Sequence, residues 1–211
     1  MFRIVWLTCM LLSSLIIFNS CDVYTPLITP LPDTSRMLRQ SELMQKLMKE
    51  PDTPQWYRQR EDITLAMGDR VFDKNFDRVF DSLIIAIANL GAHVGNMERQ
   101  SGYISVSGTL LSPEIFSQLR HEGLVEYCQY YGYDPDLLQR KGEYNIDPDM
   151  TGGMIANMMQ AMTITVVKEG ENQTKVKLRF ANVYYPRLIE EYYKAVWPAL
   201  DKQIFMDKNL D

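Results

Sequence analysis

One hairpin pattern near the C-terminal end constrains the fold of this chain more than any other segment. Apolar side chains alternate with polar ones over residues 162–166 and again over residues 175–180. Such alternation is typical of antiparallel strands that have one buried and one solvated face. The four residues Glu169-Gly170-Glu171-Asn172 predict the turn between the two strands. The apolar face of this hairpin therefore needs cover from other elements of the chain.

A helix that can supply this cover is predicted from Phe76 to Leu90. Apolar residues recur there at the three- and four-residue spacing of one buried helical face. Asn75 is a suitable N-cap, and Gly91 supplies a left-handed stop. A second hairpin follows, with strands at Ala92–Met97 and Tyr103–Ser107.

Two further elements complete the predicted domain. A short strand is expected at Val71-Phe72, and a second amphipathic helix begins near Arg187 and contains Pro198, which we expect to kink or divide it. Together these elements predict an α+β fold, an antiparallel four- to five-stranded sheet with two helices packed on one face. A helical and irregular insertion is expected at about residues 112–151.

The insertion contains the candidate working surface. Ser112-Pro113-Glu114 predicts a helix start, with a break near Gly123, and Tyr133–Asp149 reads as an irregular loop. Tyrosine is enriched at protein interfaces, and methionine at adaptable contact surfaces. The residues assigned to possible partner binding are Tyr127, Tyr130, Tyr131, Tyr133, Tyr144, Met154 and Met158. The alternative, that these rings cover a small satellite core, stays open.

The N-terminal segment indicates where the protein works. Residues 1–20 contain one basic residue, an apolar run from Ile4 to Phe18 and a small residue before Cys21, which is the pattern of a secretory signal peptide. The run Phe18-Asn19-Ser20-Cys21 resembles the lipobox of bacterial lipoproteins, and that resemblance implies acyl chains on Cys21. An uncleaved membrane anchor and plain secretion are the alternatives. Asp22 resembles an inner-membrane retention signal, so inner versus outer membrane is left open.

Residues 21–61 are predicted to tether the domain of residues 62–211 to the lipid. Residues 22–33 contain three prolines and no periodicity, as in an extended linker. A short helix is predicted over Thr34–Glu50. Pro51–Arg60 is predicted to be a second linker, and we expect Trp56 and Tyr57 of this linker to pack onto the core.

Composition excludes several classes of function. Removal of residues 1–20 leaves 21 basic and 27 acidic side chains, a net charge of −6, which argues against nucleic acid as a partner. His93 and His121 lie in no metal-binding spacing, and His93 is expected to be a partly buried structural residue. Cys128 is expected to be a buried thiol. No cofactor, no metal and no catalytic residue is therefore predicted.

Two longer stretches resemble a group of uncharacterised proteobacterial envelope lipoproteins. They are residues 68–108, beginning GDRVFDKNFDRVF, and residues 162–205, beginning MTITVVKEGENQTKVKLRF. The layout is more distantly similar to the helix-grip domains of the accessory lipoprotein of the outer-membrane β-barrel assembly machinery. The resemblance bears on fold and brings no catalytic residue with it. The lipid site, the proline-containing tether, the absence of catalytic spacing and the tyrosine-rich insertion together predict a non-catalytic accessory or scaffold module that binds an envelope protein. A carrier of a lipid or other apolar ligand, held between helix and sheet, is the alternative, and an enzyme with dispersed catalytic residues is a third hypothesis.

Overall fold

The computed structural model describes residues 34–108, 110–138 and 161–208, with a compact unit that begins at Ser35. Its strands are β1 (Asp69–Phe72), β2 (His93–Glu98), β3 (Tyr103–Ser107), β4 (Ala161–Gly170) and β5 (Gln173–Ala181). Its α-helices are α1 (Thr34–Lys49), α2 (Pro54–Met67), α3 (Phe76–Asn89), α4 (Pro113–Tyr131) and α5 (Pro186–Lys208). A short 3₁₀ helix spans Pro135–Leu138.

The five strands form one open antiparallel sheet in the order β1-β5-β4-β3-β2. The alternation predicted from the sequence sets its two faces, because Ile164 and Leu178 lie opposite each other and are fully buried. The neighbouring pair, Thr163 and Arg179, points to the other face. The predicted α+β fold is therefore confirmed.

Helices α3 and α5 cover the apolar face of this sheet. In α3, Asn75 caps the N-terminus by accepting a hydrogen bond from the Arg78 N–H at 3.0 Å. Val79, Leu83 and Ile87 of this helix are completely buried. From α5, Tyr193 donates a hydrogen bond to the Leu178 carbonyl at 3.2 Å. The two predicted helices thus lie where the sequence pattern requires cover.

Helix α5 runs without division past Pro198. Proline removes one helical hydrogen bond, which is why the sequence predicts a kink or a division here. On either side of it, however, Val196 and Leu200 are completely buried. Because both flanking turns are held in the core, the division alternative is wrong.

Helices α1, α2 and α4 form a second cluster that joins the same core. Leu43 and Leu47 of α1, Trp56 of α2 and Leu119 of α4 are all buried. The prediction that residues 51–60 form a linker is wrong, because Thr53 caps α2 and accepts a hydrogen bond from the Trp56 N–H at 3.1 Å. Pro54 at the first helical position supports this start.

Helix α4 is continuous through Gly123, so the predicted break there is wrong. A β-carbon added at Gly123 would lie 2.8 Å from Cγ of Tyr185, which precedes α5. Real β-carbons essentially never approach another heavy atom this closely. Glycine is therefore required at this position by the contact between the helix and the ring, and it does not end the helix.

Candidate interaction surface

The first tyrosine of the insertion is part of the core. Tyr127 is completely buried, and its hydroxyl donates a hydrogen bond to the Glu50 carbonyl at 2.7 Å. Its ring lies 6.1 Å from the ring of Trp56, centroid to centroid. Burial raises the pKa of Tyr127 far above its ordinary value. This residue therefore ties α4 to the α1–α2 connection and presents no surface to a partner.

The neighbouring tyrosines are more exposed than Tyr127. Tyr131 is half-buried and donates a hydrogen bond to the Asp52 carbonyl at 3.1 Å. Tyr130 lies edge-on to Tyr131, with ring centroids 4.8 Å apart, and is 51% exposed. Tyr133 is half-buried. Partner binding by these three rings stays a prediction.

The remaining predicted site residues lie outside the residues that the structure describes. These are Cys21, Tyr144, Met154 and Met158. Their assignments, lipidation for Cys21 and partner contact for the other three, stay predictions.

A groove of about 580 Å³ opens between α2 and the end of β5. One wall is the face of α2 that carries Tyr57, Glu61 and Leu65. The other wall is formed by Arg179 and Phe180 of β5 together with Ile189 of α5. We call this feature the α2–β5 groove; Arg60, Asp62 and Thr64 complete its lining.

Two apolar side chains of α2 stand out into solvent along this groove. Leu65 is 84% exposed and Tyr57 is 54% exposed. With Glu61 between them at four-residue steps, they lie on one helical stripe. The prediction that Tyr57 docks onto the core beside Trp56 is therefore wrong, since adjacent residues on a helix point in different directions.

Arg60 is held in place in the α2 wall of the groove. Its guanidinium pairs with Asp52 and donates a hydrogen bond to the Val183 carbonyl at 3.2 Å. It also lies over the rings of Tyr57 and Tyr184, at 5.8 and 5.5 Å from the ring centroids. Burial raises the pKa of Asp52 even though Arg60 opposes the shift. The charge of Arg60 is therefore balanced within the chain.

Arg179 is anchored in the β5 wall of the groove. It pairs with Asp69 at 2.7 Å and donates a hydrogen bond to the Gly68 carbonyl at 3.1 Å. Lys175 pairs with the same carboxylate at 3.2 Å. Partial burial alone would raise the pKa of Asp69, but the hydrogen bonds from these two cations lower it below its ordinary value. Arg179 therefore has a carboxylate partner, which it shares with Lys175.

The acidic side chains of the groove are not balanced in this way. Glu61 and Asp62 are exposed, and neither forms an ion pair with any residue that the structure describes. Glu61 accepts a hydrogen bond from the Tyr57 hydroxyl, which raises the pKa of that tyrosine. The four charged side chains of the lining sum to zero, but the two carboxylates are the ones that have no ion partner among the described residues.

The layer between α5 and the sheet is filled by side chains. Leu178, Tyr193 and Leu200 are completely buried there. A recess bounded by Met162, Phe180 and Tyr192 measures about 10 Å³, which is roughly the volume that one water molecule needs. The interior at this place has no room for an acyl chain.

The other residues considered for chemistry lie apart from the groove. His93 and His121 are both exposed, so the expectation that His93 is partly buried is wrong. Cys128 is completely buried, as predicted, and burial raises the pKa of its thiol to about 11. Within the described ranges, no cluster of histidine, cysteine and acidic residues is arranged to hold a metal ion.

Two comparisons bear on the identity of the chain. No protein-family model matches it, and the comparison with curated proteins also returns no match. In the ranges that the structure describes, no helix combines the length and apolar character needed to cross a membrane.

Proposed function

We propose that this chain is a lipid-anchored protein of the bacterial cell envelope that binds another envelope protein as a non-catalytic accessory or scaffold module. Acyl chains on Cys21 hold it to the membrane, and the folded domain faces the periplasm. Asp22 favours the inner membrane as the location of the anchor. The chain resembles proteobacterial envelope lipoproteins in sequence pattern over residues 68–108 and 162–205.

The observation that supports the proposal most strongly is the exposure of Leu65 and Tyr57 beside a groove. Leu65 leaves 84% of its surface in water although the same helix buries Trp56. Burial of a leucine side chain stabilises a protein or a complex by about 1.5–3 kcal/mol. Tyrosine, as at Tyr57, is among the residues enriched at the centres of protein–protein interfaces. Binding of a partner in the α2–β5 groove would recover that free energy.

The carrier alternative has less support. It requires a cavity between α5 and the sheet, and the recess found there measures about 10 Å³. A partner protein needs no such cavity, because it uses the outer surface. We therefore favour a protein partner over a lipid ligand.

A gentle-detergent pull-down of the tagged full-length protein from its own envelope tests the binding function. Deletion of the insertion is unsuitable, because Leu119 and Cys128 belong to the core. We therefore compare the wild type with Leu65→Asp, and with Ile115→Asp as a matched control, since Ile115 is 48% exposed on α4 and does not line the groove.

The expected result is a partner recovered with the wild type and with Ile115→Asp, and lost with Leu65→Asp. Recovery of the same proteins by all three forms would contradict binding at the groove. Recovery of no protein by any form would contradict the proposed function.

The lipid anchor has a separate test. The wild-type protein should incorporate labelled palmitate and should fractionate with membranes. The Cys21→Ser variant should lose both the label and the membrane association. Equal labelling of the two forms would contradict acylation at this residue.

A further inference from the structure

The end of β5 beside α2 has an uncovered backbone edge. Strand β1 pairs with β5 only from Thr174 to Lys177, and the Leu178 N–H then donates to the Gly68 carbonyl at 2.8 Å. Strand β5 continues to Ala181, but the chain preceding Gly68 has already turned into α2. The last residues of β5 therefore have a strand neighbour on the β4 side alone.

The register decides which backbone groups this leaves without a partner. In an antiparallel ladder, every second residue points its N–H and C=O toward the same neighbour. Leu178 points toward β1, so Phe180 does too, away from β4. The Leu178 carbonyl is satisfied by the Arg179 guanidinium at 2.8 Å and by the Tyr193 hydroxyl at 3.2 Å. Outside the strand ladder, no hydrogen bond among the described residues involves the N–H or C=O of Phe180.

The surroundings of Phe180 hold this edge in place. Its ring packs against those of Tyr192 and Tyr193, with centroid distances of 5.3 and 5.0 Å. Phe180 itself lines the α2–β5 groove, together with residues of α2 and the buried Ile189. A donor and an acceptor fixed side by side in a groove match the backbone of an extended polypeptide, which offers one of each.

The charge of the groove selects among such segments. The carboxylates of Glu61 and Asp62 have no ion partner among the described residues, whereas Arg60 and Arg179 are paired within the chain. Leu65 and Tyr57 add exposed apolar surface on the same wall. Complementarity therefore favours a segment with an apolar side chain for this wall and a lysine or arginine for the carboxylates.

We propose that the α2–β5 groove binds an extended segment of a partner protein, carrying an apolar and a basic side chain, which adds to the sheet by pairing with the backbone of Phe180. This inference rests on the proposed function and deepens it, because it names the class of partner segment. The occupant is a polypeptide backbone, and its side chains contact Leu65, Tyr57 and the two carboxylates.

The test uses displayed random linear peptides selected on the full-length protein in detergent. We expect the selected peptides to share an apolar residue close to a lysine or arginine, and to lose binding to Leu65→Asp. Replacement of both acids, Glu61→Gln with Asp62→Asn, should weaken binding about tenfold and reduce its dependence on salt. Glu171→Gln, at the exposed β4–β5 turn, is the matched control and should bind as the wild type does.

Backbone pairing has a readout of its own. N-methylation of the one peptide amide that pairs with Phe180 should weaken binding about tenfold. Methylation of the amides on either side, which point away from β5, should have little effect. Hydrogen exchange of the Phe180 amide should slow when the peptide binds.

Equal losses at every methylated position, or selection of acidic peptides, would overturn the inference. If an envelope partner is still captured in a Leu65-dependent manner, the proposed function survives this failure, because the partner then binds in another mode. If no peptide and no partner depends on Leu65, both the inference and the proposed function fail.

Discussion

Substitution of Gly123 by alanine separates two opposed physical effects within α4. Alanine is favoured over glycine inside a helix by about 1 kcal/mol, so helix propensity alone predicts stabilisation. The new methyl group would meet the Tyr185 ring at 2.8, 3.1 and 3.2 Å, whereas carbon atoms in contact prefer about 3.5–4.0 Å. Overpacking of this kind costs roughly 1–3 kcal/mol. The contact with the ring should therefore outweigh the gain in propensity.

We expect Gly123→Ala to destabilise the protein by about 1 kcal/mol, which corresponds to a fall in Tm of about 2–4 °C for a chain of this size. Thermal unfolding followed by circular dichroism measures the shift. Ser117→Ala, at an exposed position of the same helix, is the control and should leave Tm unchanged or slightly raised.

If contact with the Tyr185 ring causes the loss of stability, removal of the ring should turn the fall in Tm on Gly123→Ala into a rise. In a Tyr185→Ala background, Gly123→Ala should raise Tm, because Cγ and both Cδ atoms of residue 185 are then absent and the gain in propensity remains. A rise in Tm on Gly123→Ala in the wild-type background would refute the packing account of this glycine. An equal fall in both backgrounds would refute the assignment of the clash to Tyr185.

Three further predictions follow from the packing and the ionisation of the core. Trp56→Ala should destabilise the protein by about 3–5 kcal/mol, because it removes a buried ring. Tyr57→Ala should change the free energy of unfolding by less than about 0.5 kcal/mol, because this ring is exposed. Equal effects of the two substitutions in urea unfolding would restore the linker interpretation of these residues. Cys128 should react slowly with a thiol reagent in the folded chain and rapidly in denaturant, because it is buried and its pKa is raised to about 11; fast labelling under native conditions would contradict this burial. The pKa of Asp69 is lowered in the folded protein, so its stabilising contribution is present above its ordinary pKa of 3.8 and is lost as the pH falls through the lowered value. The Tm difference between wild type and Asp69→Asn should therefore shrink on strong acidification. A difference that grows would contradict the ion pairs of Asp69.

Elements with a clear hydrophobic period could be predicted from the sequence. The alternation over residues 162–180 and the helical spacing over Phe76–Leu90 report directly which side of each element is buried. Asn75 and Gly91 mark the ends of that helix through local backbone chemistry, which needs no tertiary information. These features predicted the α+β fold and an antiparallel sheet of four to five strands, but not the order of the strands.

Helix α2 could not be recognised in this way. Trp56 is the one residue of this helix that exposes less than a tenth of its surface, so the helix shows little hydrophobic periodicity. Thr53 and Pro54 form a helix start, but the two prolines in residues 51–54 also fit a linker, which is how the segment was interpreted. The α2–β5 groove was missed with it, because one of its walls is this helix. The other wall depends on β1 ending before β5 does, and sequence alone does not give strand register.

Gly123 shows the same limit for a single residue. Glycine in a helical pattern either ends a helix or permits a close approach, and the sequence gives no means of choosing. The choice here depends on Tyr185, which lies 62 positions away in the chain.

The most direct test of the account is a photo-crosslinking measurement in living cells, with a crosslinking amino acid placed at Leu65 and, in a matched protein, at Ile115. Both side chains are exposed, but only Leu65 lines the α2–β5 groove. The account predicts a discrete adduct with one envelope protein from Leu65 and none from Ile115. No adduct from Leu65, or the same adducts from both positions, would contradict it.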